Sequence, residues 1–199
     1  ENETFRTKMV KFLESILPIF PFLNQLHLTV KSGNSFPHSA GIASSASSMS
    51  ALALCLCTLE DELFQTLQDD VLFDKKASYI ARLGSGSACR SIYGGMAAWG
   101  ETTAIAGSSN EYAVPFEAEL HEIYKNFHDD ILIASQGEKS VSSRAGHALM
   151  EGNAYAAPRY QQANDRMQQL VEVLKNGDVE TFGTIAEDEA LTLHALMMT

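Results

Sequence analysis

Basic residues are scarce in this 199-residue chain: 14 Lys and Arg stand against 25 Asp and Glu, a formal net charge of −11. A protein that binds nucleic acid irrespective of sequence needs a surplus of Lys and Arg to displace phosphate counterions. That class is therefore excluded, and so is docking on an anionic membrane surface. Long apolar runs are also missing. The longest weakly polar stretch, 51–59, is interrupted by Cys and Thr and is too short to span a bilayer. Cysteine is limited to Cys55, Cys57 and Cys89. An odd, low count without framework spacing points to a reducing compartment and to no structural disulfide. Cys55 and Cys57 are expected as buried thiols in a helix, since no matching Cys/His pair supports zinc. The start, Glu1-Asn2-Glu3, lacks the cationic flank of a signal peptide. No Met opens the chain, which is read as beginning partway into a gene product.

What is present is an ordinary globular composition, 45% hydrophobic and 20% charged. The length suffices for one good core or two small ones. Phe5, Met9, Phe12, Leu13, Ile16 and Leu17 repeat at helical spacing, and Pro18 ends that helix. Leu26, Leu28 and Val30 alternate with polar residues and predict a strand. A Ser-Gly-Asn-rich loop then enters a small-residue helix over 43–59. Ala77, Ile80, Ala81 and Leu83 mark a shorter helix, and Gly84 to Ser87 a loop. The stretch 93–99, with Gly94-Gly95, predicts a glycine-kinked strand, and Trp99 is expected in the core. A turn cluster occupies 107–110 and a short buried strand 131–134. A helix starts at Ser142. Ala163, Met167, Leu170, Val171 and Leu174 predict another, stopped by Asn176-Gly177. Asp178 caps the last helix, whose apolar face carries Phe182, Ile185 and Leu193. The class is α+β, with a second domain beginning between 111 and 130.

Three segments carry chemistry. The first is Pro37-His38-Ser39-Ala40-Gly41-Ile42-Ala43-Ser44-Ser45-Ala46. A loop of small residues leads into a helix whose first turn holds two serines. Unpaired amides and the positive end of the helix dipole make such a start an anion site. The Gly-Lys-Ser/Thr of a P-loop is absent. The same residues also read as a Ser/Ala-rich helix packed on a sheet, with Ser44 as its cap. The second segment is Gly84-Ser85-Gly86-Ser87-Ala88-Cys89-Arg90-Ser91. Its serines and the Arg90 fork can converge on an oxyanion; the alternative is a Gly-Ser turn with an exposed Arg. The third, Val141-Ser142-Ser143-Arg144-Ala145-Gly146, repeats that logic at a helix start. Together they suit a ligand with several negative groups, because affinity follows the site and not the net charge.

The first two blocks, in this order and approximate spacing, resemble the diphosphomevalonate decarboxylases of the GHMP kinase superfamily. The Pro-x-x-x-Gly-x-x-Ser-Ser pattern is shared across that superfamily, and the Gly-Ser-Gly-Ser-Ala-Cys-Arg-Ser block is much more specific to the decarboxylases. Val141-Ser142-Ser143-Arg144 with Gly146 resembles a third family stretch. The resemblance implies a two-lobed GHMP kinase-like fold, with 1–125 in the N-terminal ATP- and substrate-binding domain and 126–199 opening the C-terminal one. It implies ATP-dependent decarboxylation of mevalonate 5-diphosphate to isopentenyl diphosphate, through phosphorylation of the tertiary hydroxyl. Gly41, Ser44 and Ser45 would hold ATP phosphates, with Mg²⁺ carried by the ATP. Ser85, Ser87 and Arg90 would bind substrate, with Arg90 on its carboxylate; Ser143 and Arg144 would face its diphosphate. A cytoplasmic enzyme, commonly a homodimer, without nucleic-acid or membrane partners is implied as well.

The sequence departs from the family in several places. His38 stands where eukaryotic members have Thr, and is read as lineage variation. The family's Asp-Ala-Gly-Pro-type stretch with its catalytic Asp does not occur before Thr199, nor a Lys-Tyr-Trp-Gly-type segment before the first motif. Asp129, Asp130 and Asp188 lack that context. The chain is therefore read as an interior fragment, or the ordered part of a longer protein, inactive by itself. The alternatives are a mevalonate 3-kinase, a decarboxylase of the monophosphate, or a non-catalytic metabolite sensor on the same fold. His121, His128, His147 and His194 are read as structural, since no carboxylate cluster at ligand spacing supports a metal.

Overall fold

A computed structural model of the chain describes residues 3–36, 42–116, 120–128, 130–132 and 143–198, without the side chains of residues 4, 5, 143 and 144. Helix α1 (Glu3–Ser15) stops ahead of Pro18, whose ring disfavours a helical residue before it. A turn follows in which the amides of Ile19 and Phe20 both reach the Ile16 carbonyl at 2.9 Å. This folds Ile16 and Phe20 completely out of solvent, each side chain contributing about 1.5–3 kcal/mol of transfer energy. A short 3₁₀ helix, Pro21–Gln25, closes the corner. The strand expected over 26–30 is not formed. Leu26, Leu28 and Val30 are in no ladder, and are 38%, 42% and 46% exposed. Alternation describes which face a strand would bury, yet a strand exists only where a neighbour takes its hydrogen bonds.

The centre of the molecule is the pair α2 (Ser44–Phe64) and α3 (Asp70–Gly84) with the 3₁₀ helix Gly86–Ile92 packed across them. Helix α2 runs past the expected 43–59, because Asp61 at its end accepts from the Leu67 amide at 2.8 Å and holds the exit. Its buried stripe is Ala46, Met49, Ser50, Leu52, Ala53, Leu56 and Cys57. Cys55 is exposed, not buried: two residues apart on a helix is about 200°, so Cys55 and Cys57 cannot share a face. The Asp69 carboxylate caps α3 by accepting from the Leu72 amide at 2.9 Å. Small residues on the facing stripes, Ala53, Ala77 and Ala81, let the axes approach. Lys76 ties α3 to α2 through Glu60 (2.7 Å to Oε1) and lies 4.7 Å over the Phe20 ring.

Strands β1 (Ala97–Trp99) and β2 (Ala113–Pro115) pair antiparallel, Ala97 opposite Pro115, Ala98 opposite Val114 and Trp99 opposite Ala113. The strand expected over 93–99 is thus confined to its last three residues; Tyr93 to Gly95 are bends that lead out of the 3₁₀ helix. Trp99 is half-buried, its indole N–H donating to the Asn110 carbonyl at 3.0 Å. The turn cluster at 107–110 lies in the β1–β2 connection as expected, with Gly107 at φ 75°.

Beyond β2 a 3₁₀ turn, Glu122–Tyr124, leads toward the last helices, α4 (Ser143–Ala148), α5 (Ala156–Asn176) and α6 (Val179–Met197). Ile131 and Leu132 are in no strand and are 56% and 94% exposed; the remainder of that expected strand, 133–134, lies outside the described residues. Gly177 ends α5 in the left-handed region and Asp178 caps α6, as the Asn-Gly-Asp order predicts. The α5–α6 pair is joined by Arg159–Glu189 (2.7 Å) and Arg166–Asp188 (2.9 Å). His121 meets this pair where its amide donates to the Leu174 carbonyl at 2.9 Å. His147 and His194 stand exposed on α4 and α6. The class is α+β, and among the described residues no helix is long and apolar enough to cross a membrane.

Candidate functional site

Helix α2 begins in an unusual way. Its N-cap is Ala43, held at φ 56°, ψ 35°. A methyl side chain cannot cap, and among the described residues the Ala46 amide reaches the Ala43 carbonyl at 2.9 Å instead. A non-glycine residue in this region costs on the order of 1–3 kcal/mol and is retained where surroundings or function require it. A left-handed residue followed by a right-handed one also turns successive N–H groups toward one side, the nest geometry that receives anions. Ser44 is therefore not the cap that the plain structural reading made it. Its carbonyl accepts from Ser48 Oγ at 2.9 Å, and its own half-buried hydroxyl stands in the first turn.

The structure brings the first and second segments together. Ser45 Oγ lies 3.4 Å from Ser85 Oγ, forty residues along the chain. Ser85 is at once the C-cap of α3 and the N-cap of the 3₁₀ helix, in extended backbone. The glycines on either side are there for space. A Cβ on Gly84 would stand 2.5 Å from Met49 Sδ, and one on Gly86 2.9 Å from Trp99 Cη2. Ser87 is half-buried, and Arg90 is exposed in the last turn of the same short helix. Ser85 thus meets the start of α2 along one rim, and the short helix that it opens carries Ser87 and Arg90.

Beneath that rim lies a polar anchor with no motif to announce it. Ser78 on α3 is fully buried, donates to the Cys89 carbonyl at 2.9 Å and accepts from the Ala113 amide at 2.9 Å. Tyr93 Oη donates to the Ala113 carbonyl at 3.0 Å. The thiol of Cys89 donates to the Gly86 carbonyl at 3.0 Å. Burial pushes that thiol up from its ordinary pKa, against the opposing pull of the Arg90 charge. Burial also pushes up the Tyr93 phenol, helped by the Asp74 carboxylate. Cys57 is pushed up to about 12, again chiefly by burial. The buried thiols are therefore neutral, unreactive packing groups near pH 7. The one signal that could have singled out Ser78 is a hydroxyl embedded in the apolar stripe of Ala77, Ile80 and Ala81.

The other expected residues are not brought to this rim by what is described. Gly41 and His38 lie outside the described residues, as do the side chains of Ser143 and Arg144. The backbone of Ser143 opens α4, whose Gly146 faces Met197 of α6. A concavity of about 620 Å³ is lined by Gly94, Met96, Leu120, Tyr124, Lys125 and Phe127. None of the candidate anion-binding residues lines it, so it is not the site assembled by the serines. No cluster of His, Cys, Asp or Glu able to hold a metal occurs among the described residues. Among the described residues the arrangement offers hydroxyl donors and, on the same short helix, a guanidinium, which is equipment for binding and orienting an anion.

A family model described as the diphosphomevalonate decarboxylase-like N-terminal domain matches residues 1–112, which hold both joined segments. The chain belongs to this family. It is 33% identical over 175 residues to the diphosphomevalonate decarboxylase of Schizosaccharomyces pombe, covering 87% of this chain and 42% of that protein. It is 30% identical over 179 residues to that of Danio rerio, covering 88% of this chain and 40% of the other. The crystal structure of a mevalonate diphosphate decarboxylase from Legionella pneumophila superposes with a TM-score of 0.58 at 29% identity, over 82% of this chain and 47% of that one. The fold is accordingly the GHMP kinase fold. The chain spans less than half the length of these relatives.

Proposed function

We propose that this family member serves the ATP-dependent decarboxylation of mevalonate 5-diphosphate to isopentenyl diphosphate. The observation that carries the reading is the Ser45–Ser85 contact. It sets the start of α2 against Ser85, which opens the short helix carrying Arg90 in its last turn. A phosphate donor at that start and a 3-hydroxy acid reaching from Ser85 toward Arg90 would then lie side by side. Gly41, Ser44 and Ser45 hold the ATP phosphates, and Mg²⁺ accompanying them supplies charge neutralisation. Ser85 and Ser87 orient the substrate, Arg90 forks its carboxylate, and Ser143 with Arg144 meets its diphosphate. In the reaction the terminal phosphoryl of ATP passes to the tertiary hydroxyl. The C–CO₂ bond then breaks, its electron pair forms the new double bond, and inorganic phosphate leaves with ADP and CO₂ as the other products. Positioning and electrostatic stabilisation carry most of such a transfer.

Release of CO₂ from mevalonate 5-diphosphate, with and without ATP, tests this in the gene product that contains this sequence, the 199 residues alone being expected inactive. Turnover is expected only with ATP. Arg90→Ala is expected to lower kcat/KM by about a hundredfold, the scale of a lost charge-paired hydrogen bond. Arg144→Ala is expected to erase the preference for the diphosphate over the monophosphate. Phosphorylation without CO₂ release would replace the reading with a 3-kinase. Wild-type turnover by Arg90→Ala would overturn the assignment of Arg90.

A further inference from the structure

We infer that Ser78, buried beneath the rim, is the positioning residue that aims Arg90. The inference rests on the reading that Arg90 holds the substrate carboxylate. Serines inside helices ordinarily bond back to their own turn. Ser48 and Ser50 of α2 do this, donating to Ser44 O at 2.9 Å and Ser47 O at 3.0 Å. Ser78 does not. It reaches out of α3 to residues 11 and 35 positions later in the chain, donating to Cys89 O and accepting from Ala113 N.

The accepting carbonyl is what matters. Cys89 C=O belongs to the peptide unit that contains the Arg90 nitrogen. A hydrogen bond to that oxygen fixes the plane of this unit, and with it the direction in which the Arg90 side chain leaves the backbone. The plane needs such a hold. Arg90 sits in a 3₁₀ helix of seven residues, whereas runs longer than 3–4 residues are uncommon because their own hydrogen bonds are poorly aligned. The same hydroxyl anchors Ala113, whose carbonyl receives Tyr93 Oη just past the end of that helix. One buried oxygen thus joins α3, the Arg90 turn and β2. An alanine there would leave the Ala113 amide buried without its acceptor, and would strip the Cys89 carbonyl of its one donor from outside the 3₁₀ helix.

A double-mutant cycle separates aiming from mere folding. Binding of mevalonate 5-diphosphate and, separately, of ATP is measured by titration calorimetry for wild type, Ser78→Ala, Ser78→Cys, Arg90→Ala and the Ser78→Ala/Arg90→Ala pair. Ile16→Val serves as a core control away from the rim. Ser78→Ala is expected to weaken mevalonate 5-diphosphate about tenfold and ATP by less than about twofold, with Ser78→Cys, a weaker donor, in between. In the Arg90→Ala background the same Ser78 substitution is expected to change binding by less than about twofold, because the group it aims is gone. Equal weakening with and without Arg90, or wild-type affinity in Ser78→Ala, overturns the inference. If Ser78→Ala does not fold, Ser78→Cys alone and combined with Arg90→Ala carries the same cycle. Wild-type affinity in Arg90→Ala would instead sink the underlying reading of Arg90, an outcome distinct from additivity.

Discussion

Gly84 and Gly86 are the residues on which the rim is built, and neither is required by a left-handed backbone. Their role is clearance. Met49 passes Gly84 so closely that an added Cβ would stand 2.8 Å from its Cγ and 3.2 Å from its Cβ, atoms too near the root of that side chain to swing aside. Trp99 presents its ring edge to Gly86 and is anchored by its hydrogen bond to Asn110. Gly84→Ala is expected to destabilise the protein by about 1–3 kcal/mol, the usual cost of overpacking. Gly86→Ala is expected to tilt the indole as well. Trp99 is the sole tryptophan, so its emission maximum reports that tilt directly, alongside a melting curve for the stability loss. An unshifted emission with an unchanged melt would refute the clearance argument. Sequence reading placed these glycines in a loop or Gly-Ser turn whose serines and Arg90 could meet an oxyanion. That they are spacers for side chains 35 and 13 residues away could not be read locally.

At the scale of elements, what was legible followed from local signals. Asn176-Gly177-Asp178 announced both the end of α5 and the start of α6, since a left-handed C-cap and a carboxylate N-cap need only their immediate neighbours. The expected strands failed where partners were needed: Leu26, Leu28 and Val30 alternate without a ladder, and Tyr93 to Gly95 bend before β1 begins. The 3₁₀ helix carrying Arg90 left no periodic trace, and the meeting of Ser45 with Ser85 is tertiary. The Asp178 cap carries a prediction of its own. Its carboxylate accepts from the Thr181 hydroxyl at 2.6 Å and the Thr181 amide at 3.0 Å. The hydroxyl first, then the amide, hold its pKa below the ordinary 3.8. A depressed folded-state pKa means that the cap's contribution is present above the ordinary value and lost as pH falls through the folded one. Melting temperature should therefore drop less between about pH 5 and about pH 3 in Asp178→Asn, which caps without titrating, than in wild type. Parallel pH profiles for the two proteins would count against the cap's titration.

For the whole molecule the question is which electrostatic effect dominates. Ion pairs favour low salt, while a net charge of −11 repels itself and favours high salt. The pairs among the described residues are mostly open to solvent: Arg6–Glu3 is 68% and 75% exposed, and Lys125–Glu122 is 50% and 81% exposed. Such pairs contribute about 0–1 kcal/mol at most. Lys76–Glu60 and Arg159–Glu189 are better shielded, and salt screens them weakly for that reason. Repulsion among the excess carboxylates acts through the surface, where screening is effective once the Debye length shrinks from about 30 Å at 0.01 M to about 8 Å at 0.15 M. Screening should thus remove more repulsion than attraction. The melting temperature is expected to rise by about 2–4 °C, equivalent to about 1 kcal/mol for a chain of this size, between those two salt concentrations. A fall over the same interval would mean that the ion pairs outweigh the net charge. The same far field opposes every anion approaching the rim, so affinity there must come from short-range donors: the nest at Ala43, the Ser45 and Ser85 hydroxyls, and the guanidinium that Ser78 aims.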